Sequence, residues 1–186
     1  MAGDDFEKQA AAMAAPPPKK WVPSARSFIY AVLLFLTFAC ATAQMGLWSW
    51  ALQTYGNNKK VFNYPSAEVM MTGNELFFNG ILTMLVALGA PFLPILFQSF
   101  LWFAIWVMDC VSASILTYHM PFTASSCSVS PDSTWLRFVP DCKKWVAFEA
   151  MSWTVFALAF VLFVMTLVDF IQGKKREGGR HYLLGA

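Results

Sequence analysis

Long apolar runs alternate with short polar segments along the chain, and this alternation predicts four membrane-spanning helices. The predicted spans cover residues 28–50, 67–88, 93–118 and 145–171. Each is long enough to cross a hydrocarbon core of about 30 Å at about 1.5 Å per residue. We therefore expect an all-α polytopic membrane protein, an antiparallel bundle of four transmembrane helices.

The polar segments divide the chain into a membrane domain and two tails. Residues 1–26 are predicted to be an irregular cytoplasmic tail, because a run of three prolines interrupts any helix there. The four-helix domain covers residues 27–172, and residues 173–186 form a basic cytoplasmic tail. The turn Gly89-Ala90-Pro91 is so short that spans two and three must form an antiparallel hairpin.

The first apolar run allows a second interpretation. Phe28–Phe38 followed by Ala41-Thr42-Ala43 is also typical of a signal peptide with its cleavage site. The preceding segment is long and partly acidic, however, and the apolar run continues past Ala43. We expect this segment to remain as the first span.

Basic side chains near the span ends predict the orientation. Seven lysines and arginines flank the side that holds both chain ends and five flank the other: Lys19, Lys20, Arg26, Lys174, Lys175, Arg176 and Arg180 against Lys59, Lys60, Arg137, Lys143 and Lys144. The positive-inside rule then places both termini in the cytoplasm. Aromatic side chains near the opposite span ends, Trp48, Trp50, Tyr55, Tyr118 and Trp145, are expected at the outer membrane interface.

The overall composition agrees with a chain that is mostly solvated by lipid. Hydrophobic residues make up 58% and charged residues 13%, against about 45–50% and about 25% in soluble domains. The net charge of +2 and the absence of a basic stripe give no reason to expect a nucleic-acid partner. No GxSxG, HExxH or P-loop pattern is present, so we expect no enzyme, no catalytic residues and no cofactor.

The four cysteines fall into two classes. Cys40 and Cys110 lie inside apolar runs, whereas Cys127 and Cys142 lie in the longest polar loop. On an oxidising side of the membrane, the loop pair is expected to form a disulfide that closes about 16 residues and contributes about 3 kcal/mol. Two free thiols are the alternative. The cysteines and histidines lack metal-ligand spacing, so we expect no metal site.

Polar residues inside the spans form the main candidate site. All four spans place such a group in the half of the membrane nearer the cysteine loop, at Gln44, Glu75, Asn79, Asp109, Ser112 and Glu149. No lysine or arginine lies within the spans to neutralise these acids. An intramembrane acid costs at least about 2.5 kcal/mol and normally faces the bundle interior. We therefore expect these acids to be at least partly protonated.

Helical periodicity assigns faces to the first two spans. Thr72, Glu75, Asn79 and Thr83 recur at steps of three and four on span two, so they share one face. On span one, a stripe of small residues is expected to let a neighbouring helix approach: Ala39, Thr42, Ala43 and Gly46.

The polar layer has several interpretations. It can hold the bundle together through hydrogen bonds between helices. It can also be a proton- or cation-handling site built from Glu75 and Asp109, with Glu149 as a further member. A lipid-headgroup site and a surface for a partner helix remain open. The basic cluster Lys174, Lys175 and Arg176 is either a stop-transfer signal or a contact for anionic lipids.

The pattern as a whole resembles MARVEL-domain proteins, most closely the small fungal plasma-membrane members. The likeness rests on four spans, a tight turn between spans two and three, and the late acid of Val107-Met108-Asp109-Cys110. It also includes the paired-cysteine loop and the small and aromatic run after Cys142. It covers about residues 24–172.

The resemblance implies a non-enzymatic protein that organises plasma-membrane microdomains or takes part in trafficking. Its partners would be membrane lipids, with sterols and sphingolipids as candidates, and other membrane proteins or further copies of itself. Two alternatives come from the residues: a small transporter or proton- or cation-conducting protein using Glu75 and Asp109, and an accessory subunit of a larger membrane complex. A claudin-like fold is less consistent, because the longer loop here lies between spans three and four.

Overall fold

The computed structural model describes residues 25–56, 64–130 and 133–175, with side chains up to residue 172. Within these ranges the chain forms four long helices, α1 (Ala25–Tyr55), α2 (Ala67–Gly89), α3 (Ile95–His119) and α4 (Cys142–Lys175). Short 3-10 helices occupy Ala90–Phe92 and Leu136–Asp141. All four long helices are apolar enough to cross a membrane. The prediction of an all-α four-helix membrane bundle is confirmed.

The helices are longer than the predicted spans at several ends. Helix α1 continues to Tyr55, five residues beyond the predicted end of the first span. Helix α4 begins at Cys142, immediately after the 3-10 turn, and reaches Lys175. Helix α2 begins where predicted, because the Ser66 hydroxyl caps it by accepting a hydrogen bond from the Val69 amide at 3.2 Å.

The bundle is closed. Helix α1 packs on α2, α2 on α3, α3 on α4, and α4 returns to α1. The Ala90–Phe92 turn joins α2 to α3 as the predicted hairpin. We call the end near Cys127 and Cys142 the disulfide end, and the opposite end, where α1 begins and α4 finishes, the terminal end.

The outward faces of the helices are apolar. Large side chains such as Phe28, Phe35, Phe78 and Phe100 are each more than 60% exposed. Water would penalise such a surface by roughly 25 cal/mol per Å² of exposed apolar area, whereas lipid tails accept it without cost. The chain is therefore an integral membrane protein.

The interior consists of two apolar clusters. One lies toward the disulfide end and includes Trp48, Leu76 and Leu116. The other lies toward the terminal end and includes Trp102 and Leu162. Gln44, Asn79, Asp109 and Ser112, which are also buried, lie between these two clusters in helix register.

Contact between α1 and α2 depends on glycine. A methyl group at Gly73 would overlap the Trp48 ring, and one at Gly80 would come within 2.7 Å of the Met45 side chain. The Trp48 ring is 1% exposed and lies directly against the α2 backbone at Gly73. The two helices can therefore approach closely because α2 carries glycines at the positions that face the large side chains of Trp48 and Met45 on α1.

The prediction that the small-residue stripe of α1 packs against a neighbouring helix was wrong. Ala39, Thr42, Ala43 and Gly46 are all exposed, and a methyl group at Gly46 would meet nothing within 4 Å. The packed face carries Thr37, Ala41, Gln44, Trp48, Ala51 and Tyr55. Small residues are as compatible with lipid as with a helix interface, so their periodicity did not distinguish the two faces.

Gly73→Ala is expected to destabilise the bundle by about 1–3 kcal/mol, because the added methyl group overpacks a ring held on several sides. The matched control is Gly46→Ala, a lipid-facing helical glycine, which should be neutral or stabilise by up to about 1 kcal/mol. Thermal unfolding of both variants in the same detergent measures the difference. Equal midpoints would show that Trp48 does not require a glycine opposite it.

Candidate functional site

The disulfide end is covered by a compact cap. Cys127 and Cys142 form a disulfide with a Cα–Cα separation of 5.8 Å, as predicted. Cys142 is the first residue of α4, so the bond ties the loop to the start of that helix. Within the described part of the chain, Cys40 and Cys110 remain free thiols.

Aromatic rings fill the space beneath this bond. We call them the aromatic cap, and all are buried: Trp48, Tyr55, Tyr64, Phe122, Trp135, Phe138, Trp145 and Phe148. The Trp48 ring stacks on Phe148 at 5.7 Å and on Tyr64 at 5.6 Å between centroids. Such pairs contribute about 0.5–1.5 kcal/mol beyond the area they bury. Trp48 and Trp145, predicted to lie near the outer membrane interface, are buried core residues of the cap.

Polar contacts seal the rim of the cap. The Tyr55 hydroxyl donates to Asp141 Oδ2 at 2.8 Å, and Lys144 Nζ lies 3.0 Å from Asp141 Oδ1. The Lys144 ammonium also sits 4.0 Å from the centroid of the Trp50 ring. Nearby, burial raises the pKa of the Tyr64 phenol, which remains a neutral donor to the Gly56 carbonyl at 3.4 Å. The loop before α4 is thus fixed to α1 as well as to α4.

Below the cap lies a cluster that we call the core polar cluster: Gln44 on α1, Asn79 on α2, and Asp109 and Ser112 on α3. Each of these side chains is at most 1% exposed. Gln44 lies eleven residues before the end of α1, Asn79 twelve after the start of α2, and Asp109 ten before the end of α3. At about 1.5 Å per residue, these three lie about 15–18 Å from the disulfide end of their helices.

Contacts inside the cluster are close but incomplete. The side-chain amides of Gln44 and Asn79 lie beside the Asp109 carboxyl, yet both Asp109 oxygens lack a hydrogen bond of normal geometry. Asn79 Nδ2 instead donates to the Ile105 carbonyl at 3.5 Å. Ser112, one helical turn beyond Asp109, also has a buried hydroxyl without a partner. These four predicted residues are buried in the bundle interior.

The other two predicted members lie elsewhere. Glu75 is partly exposed and lies one turn nearer the disulfide end than Asn79, on the same face of α2. Glu149 is paired at the α3–α4 contact, where Thr117 Oγ1 donates to its Oε1 at 2.6 Å. Because Thr117 lies eight residues from Asp109 on α3, Glu149 is separated from the core polar cluster by about 12 Å along the helix axis.

Two features were missed by sequence reasoning. The first is a ladder of aromatic rings on the outer side of the α3–α4 contact, which we call the α3–α4 ladder. It consists of Phe103 and Trp106 from α3, and Trp153, Phe156, Phe160 and Phe163 from α4. The α4 members are spaced by three, four and three residues, a periodicity that was readable in the sequence.

The second missed feature is a polar contact at the terminal end. Arg26 on α1 forms an ion pair with Asp169 on α4. One turn deeper, the buried Tyr30 hydroxyl accepts a hydrogen bond from the Gln98 amide of α3. These contacts fix the starts of α1 and α3 against the end of α4. The proposed lipid contact at Lys174, Lys175 and Arg176 falls outside the described side chains.

The core polar cluster has the side chains to bind a positively charged group or to form hydrogen bonds between helices. The α3–α4 ladder offers aromatic rings to apolar molecules in the membrane. In the described residues, no group of three or more histidine, cysteine or acidic side chains could hold a metal ion. Comparison with known proteins gave no match among family models, curated sequences or solved structures. Functional inference therefore rests on this geometry and on the sequence resemblance.

Reducing the Cys127–Cys142 bond is expected to lower the free energy of unfolding by about 3 kcal/mol, because the bond closes a loop with a sequence separation of 15 residues. The test compares thermal unfolding of Cys127→Ser with that of the wild type. Cys110→Ser is the control, since that thiol is free. A gel shift with and without reductant should occur for the wild type and be lost in Cys127→Ser.

Proposed function

We propose that this chain is a non-enzymatic membrane-organising protein of a MARVEL-like type, which associates with lipids or other membrane proteins in the plasma membrane or in trafficking. The observation that carries the proposal is the closed bundle. Its polar span residues are largely enclosed, and its broad outward faces are apolar. Such faces suit contact with lipid and with other membrane helices.

A transporter is less well supported by the same geometry. A transport route would bring water to the acids, whereas the Asp109 side chain is 0% exposed. Glu149 is engaged with Thr117 at the α3–α4 contact and does not continue a path from Asp109. The apolar outward faces and the enclosed polar residues therefore favour the organising function over transport.

The α3–α4 ladder is the contact surface we propose for this function. Phe160 is 43% exposed and Phe103 41% exposed, so ring faces and edges are available to a neighbour in the membrane. Trp106 stacks nearly parallel to Phe163 at 6.2 Å, with an interplanar angle of 6°. Rings packed on one another lose little further freedom on binding, which lowers the entropic cost of association.

The proposal is tested by mild extraction from native membrane, followed by identification of co-purifying lipids and proteins. We expect the double variant Phe156→Leu/Phe160→Leu to lose an enriched lipid or protein at least several-fold. It should stay folded, with about 1–3 kcal/mol of stability lost from its two ring contacts with Trp106. The control is Phe28→Leu/Phe35→Leu, which changes two lipid-exposed rings on α1 and should retain the enrichment.

Different outcomes contradict different parts of the proposal. A wild type with no lipid or protein enriched over the bulk membrane would overturn the organising function. Stoichiometric recovery of one large complex would favour the accessory-subunit alternative. Equal enrichment in both double variants would remove the α3–α4 ladder as the contact surface.

We also propose that both termini are cytoplasmic, from the seven-to-five distribution of basic flanking residues and the disulfide on the opposite side. The chain contains no Asn-x-Ser/Thr acceptor, and Ser128→Asn creates one, Asn-Val-Ser, in the exposed loop. This variant should be glycosylated in a eukaryotic host, and the wild type should not. An unglycosylated variant, together with staining of a C-terminal epitope tag on intact cells, would reverse the orientation.

A further inference from the structure

We infer that the core polar cluster is a binding site for one small monovalent cation taken up without its hydration shell, with Na⁺ as the probe. The inference does not depend on the proposed function, since an organising protein and a transporter could both contain such a site. It rests on three properties of Gln44, Asn79, Asp109 and Ser112: their unpaired atoms, the kind of those atoms, and their net charge.

Unpaired polar atoms are concentrated in this cluster. In the described part of the chain, nine buried side-chain nitrogen and oxygen atoms lack a hydrogen-bond partner, and six of them belong to these four residues. The other three are indole nitrogens of separate tryptophans. Each unpaired buried group costs about 1–3 kcal/mol. Six at one site indicate that the residues are arranged around a shared partner.

The unpaired atoms are mostly acceptors. Five of the six are oxygens, and four of these cannot donate: both carboxylate oxygens of Asp109, Asn79 Oδ1 and Gln44 Oε1. Asn79 Nδ2 donates one of its two hydrogens to the Ile105 carbonyl at 3.5 Å. Its other hydrogen, the Gln44 amide and the Ser112 hydroxyl are the local donors, and both amides lie beside Asp109. These donors are neutral, so an ionised Asp109 still lacks a positive partner.

The charge of the site fits one positive charge. Asp109 is fully buried, and the sequence places no lysine, arginine or histidine in residues 28–50, 67–88, 93–118 or 145–171. Glu75, one turn from Asn79 on the same face of α2, is also acidic and supplies no positive charge. A divalent ion would require a second buried carboxylate, whereas Glu75 is partly exposed.

The number of oxygens favours a metal cation over a proton. A proton on Asp109 would supply a donor to one acceptor, whereas a cation held by the Asp109 carboxylate would also attract the neutral oxygens near it. Hard cations prefer such carboxylate, amide and hydroxyl oxygens. Glu75 lies four residues before Asn79 on the same face and nearer the disulfide end, so it provides an acidic entry point from that side.

The test uses the purified full chain in detergent. The unfolding midpoint is measured in increasing NaCl, with choline chloride keeping the ionic strength constant. We expect Na⁺ to raise the midpoint by a few degrees at ten times its half-saturating concentration. The shift should shrink at lower pH, because protons compete for Asp109. Equal midpoints in the two salts at every pH overturn the inference, and a pH dependence without a Na⁺ dependence shows a site for a proton only.

Variants then locate the site. Asp109→Asn should remove the Na⁺-dependent shift, and Asn79→Leu should raise the half-saturating Na⁺ concentration at least about tenfold. Glu149→Gln is the matched control, because it neutralises an intramembrane acid that is paired elsewhere, and its Na⁺ response should equal that of the wild type. If Asp109→Asn does not fold, Asn79→Leu carries the test. An unchanged half-saturating concentration in Asn79→Leu, or loss of the response in Glu149→Gln, overturns this location.

Discussion

A polar side chain inside a membrane must find its partner within the protein, because lipid tails offer none. In this chain that constraint acts on α1, α2 and α3 at nearly one depth, through Gln44, Asn79 and Asp109. Turning any of these helices by half a turn would expose its amide or carboxyl to hydrocarbon. The core polar cluster therefore fixes the rotation of three helices about their axes. These rotations determine which apolar side chains pack together above and below the cluster.

Close packing and polar burial depend on each other along α1 and α2. Gln44 and Trp48 lie one turn apart on the same face of α1, and Asn79 and Gly73 lie on the packed side of α2. Trp48 Nε1 donates to Asn74 Oδ1 at 3.1 Å while its ring lies against Gly73. The glycine allows the backbones to approach, and the approach keeps water and lipid away from the amides. Helix α4 closes the bundle with apolar side chains such as Val155 and Ala159.

Much of the fold could be predicted from the sequence, because span length, the α2–α3 turn and the position of two loop cysteines are local properties. The burial of the four polar residues could also be predicted, because exposing an amide, carboxyl or hydroxyl group to lipid tails is costly. The packed face of α1 could not, because small residues suit lipid and helix interfaces equally. The burial of Trp145 was not predicted, because the Leu136–Asp141 turn, which contacts it through Phe138, has no periodic signal. Glu149 was grouped with Asp109 because both lie in the same half of the membrane, and this does not specify which neighbour each helix face contacts.

The position of Cys142 has a consequence for biogenesis. Ribosomes deliver the chain from its N-terminus, and Cys142 begins the last helix. Its sulfur therefore reaches the compartment of Cys127 together with the loop between α3 and α4. The oxidised bond records that this loop has reached an oxidising side of the membrane, and a reduced loop would identify chains in which it has not.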